Sequence, residues 1–187
     1  MTEEKFWELI REAKSISRSA KEIPNHLERS LLNGSVEEIA DFAAWLHMFL
    51  ARAHDRRLWV AAAIVAGGLS DDGFEYFKCW LVAQGKEAYE AAIADPDSLA
   101  DMEYVDQGYF RPQIEMEELL YVPSKAFEKA MGKPMSARKE LLPNWTPPVD
   151  TQPISSEIKN PDFRTRGKAS LENIFPKVVK RFPNWID

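Results

Sequence analysis

Between Arg57 and Asp101 the chain reads RLWVAAAIVAGGLSDDGFEYFKCWLVAQGKEAYEAAIADPDSLAD, three apolar-faced segments parted at Gly67-Gly68 and at Gly85. Leu58, Trp59, Ala62 and Val65, then Phe74, Phe77 and Leu81, recur at helical spacing. Glycine adopts the left-handed backbone that closes a helix, so each break reads as a helix end. Such a stretch admits short helices and tight turns. It leaves no place for alternating strands joined by hairpins.

The remaining sequence extends the pattern. Thr2 is placed to cap a first helix through Phe6, Ile10 and Ala13. Ile23-Pro24 opens a second, carrying Leu27 and Leu31, that Asn33-Gly34 ends. Ser35 and Glu38 have capping-box spacing, and the stripe Ile39, Phe42, Leu46, Phe49 predicts a long helix to about Ala53. A fourth helix is expected over about 56–66, where the alanines 61–63 let another backbone come close. Ser70-Asp71-Asp72-Gly73 starts the next, Lys86 to Ala94 forms a short one, and Asp95-Pro96 is a further start signature. Ile114 to Leu120 reads as an acidic helical stretch, broken or kinked at Pro123 and resuming over Ser124 to Met131. Five prolines between 143 and 161 exclude a long regular element there. Ser170 to Phe182 returns to short helices, the second beginning at Pro176.

The expected fold is therefore all-α, a compact domain of six to nine helices over 1–132. Residues 133–187 form a proline-rich arm with short terminal helices packed on the same domain.

A chain of 187 residues with 45% hydrophobic and 29% charged residues is globular in composition. Its longest apolar run is interrupted by Gly67-Gly68, well short of the ~20 residues that span a bilayer. The single cysteine, Cys79, offers neither an internal disulfide nor a thiolate metal cluster. With no signal-like N-terminus, these features read as a cytoplasmic protein. Charge is unevenly distributed: residues 66–120 hold 13 acidic and 3 basic side chains, whereas 121–187 hold 7 acidic and 12 basic. Either the basic tail lies over the acidic middle, or that middle faces a basic partner. The acidic balance argues against nucleic acid as the main partner.

Candidate sites each have a structural alternative. Asp71 and Asp72 could share a proton or hold a cation, but carboxylates at a helix start also satisfy free amides, and Asp72 with Glu75 fits a capping box. Asp95, Asp97 and Asp101 lack the spacing of a calcium loop and suit helix caps. His47 and His54 lie about 10 Å apart along one helix, too far to share a metal. Cys79 beside Trp80 reads as a packing cysteine, and Ser136 to Lys139 matches S-x-x-K without companion motifs. Trp45, Trp59 and Trp80 are expected in the core. Trp145 and Trp185, each after Pro-Asn, are expected to anchor the arm. No cofactor motif and no metal-ligand set is present.

The segments FWELI, LWVAAAIVAGG, SDDGFEYFKCWLVAQGKEAYEAAI and ADPDSLAD together resemble the bacterial family called domain of unknown function 4240, over about residues 1–130. The family pattern often carries cysteine where this chain has Leu69 and arginine where it has Lys78. The resemblance implies a small, helical, cytoplasmic bacterial protein and brings no activity with it.

Two functional readings follow. The first is a protein-binding module, regulatory or immunity-like, that presents the acidic middle from Asp71 to Glu118 to a basic protein. The alternative is a small-ligand receptor or enzyme with a cleft at the Gly67–Gly73 break, lined by Arg57, Trp59, Asp71 and Asp72. A homo-oligomer joined through the 143–187 arm is a third, structural possibility.

Overall fold

Local signals place the helices where the chain's own chemistry allows. The computed structural model describes residues 1–104, 112–150 and 168–183. The α-helices are α1 (Glu3–Ile16), α2 (Ile23–Leu32), α3 (Val36–Arg52), α4 (Arg56–Ala66), α5 (Asp71–Ala83), α6 (Lys86–Ala94), α7 (Glu118–Met131), α8 (Arg138–Leu141), α9 (Lys168–Ile174) and α10 (Pro176–Arg181). Tighter 3-10 turns cover Ala20–Glu22, Pro96–Asp101 and Met135–Ala137. No strand occurs among the described residues, so the all-α expectation holds.

Several starts and stops are the expected ones. Thr2 Oγ1 accepts from the Lys5 amide. At α3 both halves of the capping box form, Glu38 N–H to Ser35 Oγ at 3.2 Å and Ser35 N–H to Glu38 Oε2 at 2.9 Å. Helix α4 ends at Gly67 with φ of 70°, and the Gly68 amide reaches back to the Ala63 carbonyl at 2.8 Å. That geometry needs a residue without a side-chain penalty at positive φ.

Two expectations are corrected. The stretch from Ile114 is not helical until Glu118. Residues 113–117 alternate instead, Ile114 and Met116 buried and Gln113, Glu115 and Glu117 exposed, with the Met116 amide donating to the Tyr76 carbonyl at 3.0 Å. A period of two fits an extended strap on α5. Pro123, expected to break or kink this element, does not break it and lies inside a continuous helix. Its ring removes one amide near the N-terminus of α7, and its buried side chain, with those of Leu119, Val122, Ala126 and Phe127, helps seat the helix.

Helices α1, α2, α3 and α7 pack together. The Pro96–Asp101 turn packs with α4, α6 and α10, and α9 lies beside α10. Helix α5 contacts members of both groups and acts as the strut between them. Phe6, Trp7, Phe42, Phe49 and Tyr89 interlock where α1, α3 and α6 meet, and the Tyr89 hydroxyl donates to the Phe49 carbonyl at 2.7 Å. A second row of rings, Trp59, Phe74, Phe77, Trp80, Tyr104 and Phe182, runs along α5 to the C-terminal helices. The alanines 61–63 are fully buried, and the neighbours brought close to α4 are the 96–101 turn and α10.

Candidate functional site

Helix α5 carries the chemistry of the molecule at both its exposed end and its buried middle. Its N-cap is Ser70, whose hydroxyl accepts from the Gly73 amide at 3.0 Å, so the Asp72–Glu75 capping box is not formed. Asp71 and Asp72 therefore sit in the first turn with their carboxylates exposed, where the helix dipole favours negative charge. Gly73 lets the strap lie close. A Cβ there would come within 3.0 Å of Leu69 Cδ1 and 3.3 Å of the Glu115 carboxylate.

The strap thus brings Glu115 and Glu117 beside the first turns of α5. Burial pushes the Glu115 carboxyl above its ordinary range. The Tyr76 hydroxyl is pushed up by burial first, then by Glu117, with which it hydrogen-bonds, and by Asp72. Glu103, Glu115, Glu118 and Trp80 also line a cleft of about 300 Å³. Lys14, Arg18 and Lys21 line it as well. Burial lowers Lys14, with Glu103 opposing, and its ammonium donates to the Gln84 carbonyl at 2.9 Å. None of Asp71, Asp72, Glu103, Glu115, Glu117 or Glu118 forms an ion pair among the described residues.

The other residues expected at the break are dispersed. Arg57 is exposed on the first turn of α4 and forms no ion pair with Asp71 or Asp72. Trp59 is 2% exposed, stacked face to face on Phe74 at 4.7 Å, with its indole N–H donating to the Leu69 carbonyl. It is a core residue, as is Trp80. Trp45 is only partly buried and donates to the Met1 carbonyl.

Beneath the break lies a group that spacing alone did not reveal. The Lys78 side chain is 0% exposed and its ammonium lies 2.7 Å from Glu75, 3.2 Å from His54 Nδ1 and over the Phe74 ring. The available signal was a lysine inside the apolar run Phe77–Trp80 with a glutamate three residues earlier. The third member, His54, is 24 residues away and gave none. Beside them Cys79 is fully buried, and burial pushes its thiol up to about 12. That agrees with a packing role.

Asp95 and Asp97 of the 95–101 segment act as caps, whereas Asp101 forms an ion pair instead. Asp95 accepts from the Asp97 amide, while the buried Asp97 carboxylate accepts from the Lys177 and Val178 amides of α10. Asp101 pairs with Lys177 at 2.8 Å. No set of three potential metal ligands occurs among the described residues. Lys177 thus neutralises Asp101, while its backbone amide and that of Val178 satisfy Asp97; among the described residues no basic side chain of the tail pairs with Asp71 or Asp72. Trp145 donates to Asp41 at 2.8 Å, the anchoring expected of it, whereas Trp185 lies outside the described residues. No helix among the described residues is long and apolar enough to cross a membrane.

No curated protein and no solved structure is detectably similar to the chain. Residues 1–129 match the family described as protein of unknown function DUF4240, a span that takes in α1 to α6, the strap and nearly all of α7. With α5, its exposed carboxylates and its buried lysine all inside that span, the chain belongs to the DUF4240 family.

Proposed function

We propose that the chain is a protein-binding module, regulatory or immunity-like, whose partner presents a basic surface. The observation that carries this reading is the set of carboxylates at the start of α5 and on the strap beside it, Asp71, Asp72, Glu115 and Glu117, which form no ion pair among the described residues. Gathering like charges opposes folding, so the arrangement gains a purpose only when an opposite charge arrives. Complementary charge accelerates encounter and excludes wrong partners. A ligand cleft at the Gly67–Gly73 break is the weaker reading, because Trp59 stacks inward on Phe74 and Arg57 forms no ion pair with the two aspartates.

The test is affinity capture from native lysate with the full chain and with a D72K/E115K/E117K variant. The wild type should recover a stoichiometric basic protein, with affinity falling about tenfold or more as salt rises from low to physiological ionic strength. The variant should lose it while keeping its helical circular dichroism. Recovery of the same protein by the charge-reversed variant, or of no stoichiometric protein by the wild type, sinks the proposal.

A further inference from the structure

A second place in the molecule carries the opposite charge. Between α3 and the segment around α8 lies a cleft of about 560 Å³, within the ~300–1,000 Å³ range of small-ligand pockets. Ala43, Ala44 and His47 come from α3. Arg138, Lys139, Leu142, Pro143, Trp145 and Pro147 supply the rest. In a chain of net charge −6, every charged or titratable group lining this cleft is a base, and no carboxylate lines it.

These bases are also without counter-ions among the described residues. Neither Arg138, Lys139 nor His47 forms a side-chain hydrogen bond or ion pair among the described residues, and the Arg138 Nε is buried with no acceptor. The Arg138 guanidinium instead lies 4.3 Å over the Trp145 ring. Stacking orients the planar fork and leaves its terminal N–H groups unspent, the geometry that suits a carboxylate or phosphate. The platform is itself fixed. The Trp145 indole N–H donates to Asp41, which also takes the N-terminal ammonium. The Trp145 amide closes a turn on the Leu142 carbonyl at 3.1 Å, and the Leu142 amide one on Arg138 at 2.8 Å. Two prolines stiffen the rim, and two alanines on α3 leave the space open.

We propose that this cleft binds a small organic anion, a phosphate or carboxylate joined to a flat apolar body. The anion would meet Arg138 and Lys139, with His47 alongside, while the apolar body would lie against Trp145 and the prolines. The site shares no lining residue with the acidic face and does not rest on the binding-module reading.

The experiment follows the Trp145 indole N–H resonance, assigned by its loss in W145F, while full-length protein is titrated with phenyl phosphate, benzoate or benzyl alcohol. Phenyl phosphate or benzoate should shift it with a dissociation constant below about 1 mM, and whichever binds tighter identifies the headgroup. Benzyl alcohol should bind at least about tenfold more weakly. R138Q/K139Q should weaken the anion at least about tenfold with an unchanged thermal midpoint, and R138K, which keeps the charge but loses the fork, about threefold or more. No shift with either anion, an equal response to benzyl alcohol, or R138K binding as tightly as wild type would overturn the proposal. The R138K arm decides even if the double variant does not fold.

Discussion

Lys78 shows how burial changes the meaning of a residue. Its ammonium is wholly enclosed, whereas its partner Glu75 is 41% exposed. The two ends of the pair are therefore unequal. Replacing Glu75 by Ala strands a buried cation with His54 Nδ1 and the Phe74 ring as its remaining contacts among the described residues, a situation that costs about 3 kcal/mol. Replacing Lys78 by Met keeps most of the volume and frees Glu75 to turn to water, so about 1 kcal/mol or less is expected. Urea denaturation of both variants checks the order. Should K78M prove the more damaging, the ammonium is not the buried, dependent member of the pair. Cys79 next to it illustrates a residue that composition already described well: an apolar neighbourhood in sequence became an apolar neighbourhood in space.

At the scale of elements, the signals that succeeded are those whose partners lie within a few residues. The Ser35–Glu38 box, the Gly67 cap and the proline at the start of α10 each involve one turn of backbone, so their chemistry is written contiguously. Expectations that failed involved a distant surface. Residues 113–117 lie extended because Tyr76 of α5 offers a carbonyl and a groove for Ile114 and Met116. Nothing in those five residues announces that neighbour. Asp97 is the sharpest instance, since the amides it satisfies are 80 and 81 residues further along. Asp97→Ala removes a buried carboxylate from the first amides of α10, and a loss of about 1–2 kcal/mol is expected. Amide hydrogen exchange should show α10 losing protection well beyond α1–α3. Protection lost uniformly, or nowhere, would mean that the contact does not hold α10 in place.

Across the whole molecule, the C-terminal helices complete the core rather than decorate it. Leu171, Phe175, Val178 and Val179 are buried in the same cluster as residues of α1 through α7. Removing residues 151–187 exposes what they cover, a loss of about 3 kcal/mol or more from apolar burial alone. The thermal midpoint should drop by about 6–12 °C. An unchanged midpoint would show that residues 1–150 are a self-sufficient unit. The same scale separates the two charged regions, an acidic end of α5 inside the family-matched span and a basic cleft whose lining from Arg138 onward lies beyond it.

Most helix boundaries, the absence of strands among the described residues and the apolar faces were set by the linear order of residues; the start of α7 was not. Caps, glycines and helical periodicity act over one or two turns, which keeps them readable in one dimension. Tertiary structure alone decided which charges are buried, paired or left facing solvent. Lys78, Asp97, Glu115 and Arg138 belong to residue types that look alike along the chain. Their energies depend on the solvation and on the partners that folding brings to them from distant segments.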